Sequence, residues 1–197
     1  MNNPNRPPHF GRHVRAIPVV EWPRDVLTSL SLDHGFAEVA SLPDDELPAL
    51  LEAHFAPLRE RGEPIRDSVP LFGGLILEFD ATRRIYPQCC GDLSDVTSWL
   101  DPDDSLSGKA LVATAGHPCP ELIREGKMVR LVCSDRDEPF DPRVDRDVVV
   151  PAASLRAAVA SALEQLEAFA RRLERTGHLR GHPGLAQILA GRSDLAH

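Results

Sequence analysis

Apolar positions along this chain change spacing twice. Near the start they recur at helical intervals. Val26, Leu27 and Leu30 share one face of a short helix from Arg24 to about Leu32, opened by Trp22-Pro23. Leu47, Leu50, Leu51, His54, Phe55 and Leu58 form the stripe of a second helix. Ser41 or Asp44 is placed to cap it, Pro48 suits its first turn, and Gly62 stops it. Ahead of both, Arg15 to Val20 is apolar but contains Pro18, which marks an edge strand.

The middle of the chain switches to strand patterns. Val69 to Phe79 is a near-continuous apolar run, which predicts a strand buried on both faces, with Gly73-Gly74 as a bulge or a close approach. Asp80-Ala81-Thr82 turns the chain, and Arg83 to Tyr86 returns it as a hairpin. A short helix follows, capped by Asp92 or Ser94 and carrying Leu93, Val96, Trp99 and Leu100. Lys109 to Ala115 is another strand. Glu121 to Arg124 and Lys127 to Cys133 flank Glu125-Gly126 as a second hairpin, and Asp147 to Val150 is a last strand.

Helical spacing then returns. Pro151 opens the longest helix, whose stripe of Leu155, Val159, Ala162, Leu163, Leu166, Phe169, Ala170 and Leu173 runs to Thr176. A short helix near Leu185 to Leu189 trails it. Helices, then hairpins, then a long helix is a segregated order. It predicts an α+β fold: a mainly antiparallel sheet with N-terminal helices and the long C-terminal helix packed on it. Residues 1–14 read as a flexible arm, 15–177 as one domain, and 178–197 as a short helix and tail.

Charge narrows the function classes. Thirty acidic residues against 22 basic ones leave a net −8. Phosphate binding needs a concentrated basic field, so nucleic acid is not the expected partner. No apolar run approaches about 18 residues, so no membrane span is expected. The opening MNNPNRPPHFGRH has no apolar core of a secretory signal. A cytoplasmic, reducing setting is the expectation, with the four cysteines as thiols.

Candidate chemistry gathers on sulfur. Cys90, His117, Cys119 and Cys133 offer the thiolate and imidazole ligands of a structural zinc site, with Cys89 beside them. Their spacing contains no C-x₂-C pair, and buried thiols with a loop histidine are the competing reading. His117-Pro-Cys119-Pro-Glu121 fails the order and spacing of the zinc deaminases. Cys90, His117 and Asp92 allow a thiol, base and orienting acid on paper, with Cys90 activated by the helix it precedes. No catalytic signature accompanies them, and no cofactor is expected. Asp101, Asp103 and Asp104, with Asp135, Asp137 and Glu138, could present an acidic face to a basic protein partner.

Gly73-Gly74-Leu75-Ile76-Leu77, then Tyr86-Pro87-Gln88-Cys89-Cys90-Gly91-Asp92-Leu93-Ser94-Asp95 and Trp99, resemble a motif of small uncharacterised bacterial proteins. Gly116-His117-Pro118, the hairpin after it and the long closing helix are similar to the same group. In size and arrangement the chain also resembles immunity proteins of the SUKH kind. That resemblance implies a non-enzymatic protein-binding module that neutralises a basic toxin through an acidic surface. The alternatives are a small hydrolase-like enzyme using Cys90 and His117, or a zinc-binding domain. Neither resemblance brings a catalytic residue with it. On the binding reading Cys89 and Cys90 are small residues at a crowded strand-to-helix corner, and Asp92 caps the helix that presents Trp99 to the core.

Overall fold

The computed structural model describes residues 8–11, 13–22, 33–80, 83–100, 110–112, 116–133, 138–144 and 147–192. The fold is α+β. Its strands divide between two sheets. One holds β1 (His9–Phe10), β9 (Val148–Pro151), β8 (Met128–Val132), β7 (Glu121–Glu125) and β6 (Ala110–Val112), in that order. The other holds β3 (Phe36–Glu38), β2 (Arg15–Glu21), β4 (Gly73–Asp80) and β5 (Arg83–Ile85). Every pairing is antiparallel except β1 with β9.

Helix α2 (Ala152–Glu174) packs against β2, β9, the 3-10 helix Leu93–Trp99 and α3 (Leu185–Leu189). Its buried residues include Leu155, Val159, Ala162, Leu166, Phe169, Ala170 and Leu173, the stripe that the spacing predicts, while Leu163 is half-buried. Helix α1 (Leu47–Glu60) adds Leu47, Leu50, Leu51, Phe55 and Leu58 to the same core. Leu185, Ala186 and Leu189 from α3 belong to it too, so residues read as a trailing segment fill the interior. At the other end, His9 and Gly11 donate backbone hydrogen bonds to Asp147 and Val149. Among the described residues no helix is long and apolar enough to cross a membrane.

Three local expectations are corrected. Strand β2 is not an edge: β3 pairs on one side and β4 on the other. Pro18 is tolerated because its carbonyl accepts from Val39 N–H at 3.0 Å, just past the end of β3. A strand residue's N and O point the same way, so the missing N–H falls where β3 has ended. The strand predicted from Val69 starts only at Gly73, leaving Val69 and Phe72 53% and 49% exposed. Neither Ser41 nor Asp44 caps α1; the N-cap is Glu46, without a side-chain bond. Asp44 instead meets Arg172 of α2 at 2.7 Å, and Arg172 also donates to the carbonyls of Val39 and Leu42. The helix expected over 24–32 lies outside the described residues.

Gly73 is the close approach that the sequence suggests. A Cβ there would sit 2.1 Å from the Val19 carbonyl oxygen, at a φ of +147°. Only glycine lets β4 press against β2 at this point.

Candidate functional site

The sulfur-bearing corner lies where β5 hands over to the 3-10 helix. Asp92 takes the N-cap, its Oδ1 accepting from Ser94 N–H at 2.7 Å, and Asp95 returns a carboxylate to Asp92 N–H at 3.0 Å. This capping box satisfies donors that the helix start would leave open. The backbone here is closely knit: Leu93 donates to Leu71, Gly73 to Gly91, and Leu71 to Leu189. Val96 and Trp99 are fully buried, as their spacing predicts.

The cysteines behave differently from expectation. Cys89 and Cys90 are exposed and do not fill the crowded corner. The crowding falls on glycines: Gly116 lies so close that a Cβ would be 2.2 Å from the Cys89 carbonyl oxygen. Cys89 bridges to His117 through the backbone, accepting from its N–H at 3.0 Å, and the Cys89 thiol donates to the His117 carbonyl at 3.2 Å. Cys119 is half-buried, its thiol donating to the Gly116 carbonyl, and Cys133 is buried in the core. Among the described residues no three His, Cys, Asp or Glu side chains converge as a metal site, so Cys90, His117, Cys119 and Cys133 are not gathered around one point.

The catalytic alternative meets two obstacles. Asp92 is committed to the helix cap and is not positioned to orient a base. The Cys90 thiol is pushed up by its hydrogen bond to Cys89 and by that neighbour's charge, with burial and Glu138 adding less. An activated nucleophile needs the opposite shift. The expectation of a lowered Cys90 is therefore corrected: its shift is upward. Of the acidic candidates, Glu138 is exposed; Asp101, Asp103, Asp104, Asp135 and Asp137 lie outside the described residues.

The structure opens a site that the sequence reading missed. A cleft of about 380 Å³ lies between α1, the end of β2 and the approach to β4. Helix α1 contributes Leu50, Ala53, His54 and Pro57. Trp22, Leu71 and Phe72 complete an apolar lining, and Glu21 brings a carboxylate. The volume falls in the range of small-ligand or side-chain pockets. Val69 and Phe72 leave apolar surface beside it.

His54 fixes one wall. Its Nε2 is 2.9 Å from Ser68 Oγ and 3.0 Å from the Val69 carbonyl oxygen. A carbonyl only accepts, so Nε2 carries the hydrogen and cannot take a proton from Ser68. The pair is therefore a tie between α1 and the segment before β4, not a nucleophile and base. Burial lowers the His54 pKa from its ordinary value, and the Val69 carbonyl offsets part of that. The Phe72 ring meets His54 edge-on at 6.0 Å. Trp22 is buried, and its indole Nε1 has no hydrogen-bond partner among the described residues. The only sequence signal for this site was His54 within an apolar helix face, and a histidine there reads equally well as core.

Comparison with known proteins adds no relative: no family model, curated protein or solved structure matches the chain.

Proposed function

We propose that the chain is a non-catalytic protein-binding module, and that its contact surface is the cleft between α1 and the approach to β4. The observation that carries this reading is the placement of Phe72, about half exposed beside a cleft floored by buried Trp22 and Leu71. Large apolar side chains left in water next to a concave site are what a partner's anchor residue covers. Glu21 is the charged group in the lining, and the chain carries a net −8. The partner of matching chemistry is a basic protein that inserts an apolar side chain and sets a Lys or Arg against Glu21. Neutralising a basic toxin, as an immunity-type protein does, is the role that this chemistry favours.

A random peptide library displayed against the full chain tests the reading. The selected peptides should share an apolar anchor near a Lys or Arg. Phe72→Ser should weaken them at least tenfold, and rising salt should weaken them further. Peptides that bind Phe72→Ser as tightly as the parent chain would overturn the cleft assignment.

A further inference from the structure

The two exposed cysteines call for their own explanation. Free cysteine is among the most buried residue types, because it packs as a small apolar group. Cys89 and Cys90 are adjacent, free and exposed, so packing does not account for them. Their backbone setting is also unusual. Gly91 N–H donates to the Gln88 carbonyl at 3.3 Å, closing a four-residue turn with Cys90 in third place at a φ of +65°. Glycine or asparagine is favoured there, and a cysteine is held against that preference. The turn therefore carries two exposed thiols on consecutive residues. A single exposed thiol would be a curiosity; an adjacent exposed pair of the same soft ligand type, one of them on a strained backbone, points to a shared ligand.

We propose that Cys89 and Cys90 together form a dithiol site for a trivalent arsenic centre. Their geometry decides the class. Sulfurs tethered to consecutive residues of one tight turn reach a shared atom from the same side. A pyramidal centre takes two ligands in that arrangement; a linear two-coordinate ion needs them opposed. With an organic arsenoxide, two As–S bonds form and the As–O bond breaks. The oxygen leaves as water with the two thiol protons. No oxidation state changes, so no oxidant or reductant is needed. Capture replaces the bond from the Cys89 thiol to the His117 carbonyl, while Cys119, bonded to the Gly116 carbonyl, stays aside. The site is separate from the cleft and does not depend on the protein-binding reading.

Phenylarsine oxide added to the reduced full chain, read by intact mass, tests this. One adduct per chain with loss of water is expected. It should survive a monothiol wash and leave on treatment with a dithiol. Cys89→Ser and Cys90→Ser should each lower the wash-resistant adduct at least tenfold, whereas Cys119→Ser and Cys133→Ser should keep it. Cys90→Gly, which relieves the left-handed backbone, should melt no lower than the parent chain and still lose capture. A resistant adduct in either Cys89→Ser or Cys90→Ser would overturn the assignment. So would its loss in Cys119→Ser, or a parent adduct that the monothiol removes.

Discussion

The corner around Gly73, Gly91 and Gly116 and the cleft beneath Phe72 stand at opposite extremes of one molecule. At the corner, backbone presses on backbone, and a Cβ on Gly73 or Gly116 would fall 2.1 or 2.2 Å from a carbonyl oxygen. Its polar groups are paired through the Asp92–Asp95 capping box and the Leu71–Leu93 hydrogen bond. At the cleft, side chains stand apart around about 380 Å³, Phe72 is half in water, and Trp22 Nε1 lacks a partner among the described residues. The two regions share a strand approach: Phe72 and Gly73 are neighbours in the chain. The contrast separates a place that must be tight to hold the fold from one that the fold can leave open for a partner.

Substitutions should divide along the same line. The largest effect belongs to Gly73→Ala, where clash with Val19 and an unfavourable φ combine; a loss of about 3 kcal/mol or more is expected by chemical denaturation. Gly126→Ala is the matched control. Gly126 has φ +63° but open space around it, so about 1 kcal/mol is expected. Equal losses would show that the corner's crowding costs nothing beyond its backbone angles. Next, Phe72→Ser should weaken selected peptides tenfold, about 1.4 kcal/mol, with stability unchanged within about 0.5 kcal/mol. Asp92→Ala should do the reverse, lowering stability by about 1 kcal/mol and leaving peptide binding intact. A binding loss in Asp92→Ala without a change in melting would erase the distinction between the two regions.

The smallest effect is a pH dependence set by His54. Its folded pKa lies below the ordinary 6.5, so the unfolded chain takes up a proton first as pH falls. The stability linked to neutral His54 is complete above about 6.5 and declines below it. His54→Gln should flatten that part of the stability-against-pH curve. An unchanged slope would mean that burial of the ring does not favour its neutral form.

How much was legible beforehand follows from the same physics. Periodic elements with large apolar stripes announced themselves: α2, the β7–β8 hairpin and the Asp92-capped helix with Trp99. Asp92 could be read because a cap is a local device, satisfied within three residues. Pro18 misled because its consequence depends on where β3 ends, which no local pattern records. Asp44 looked like a cap and became the partner of Arg172, 128 residues away. The run from Val69 to Phe79 looked uniformly buried, because an exposed Phe72 and an interior Phe79 are the same letter. The cleft was invisible for a related reason: it is a gap between α1 and two strand ends, and gaps have no residue pattern. Cys89 and Cys90 drew attention as letters, but their exposure and the turn at Cys90 came only from the fold.

The most direct test of the binding site uses the two tryptophans. Trp22 floors the cleft, while Trp99 is buried under the capped helix. Titrating a selected peptide into ¹⁵N-labelled full chain gives one indole N–H signal for each. The Trp22 signal should move with the peptide's saturation curve while that of Trp99 holds still. A stationary Trp22 signal at saturation, or a Trp99 signal that moves in its place, would contradict the account.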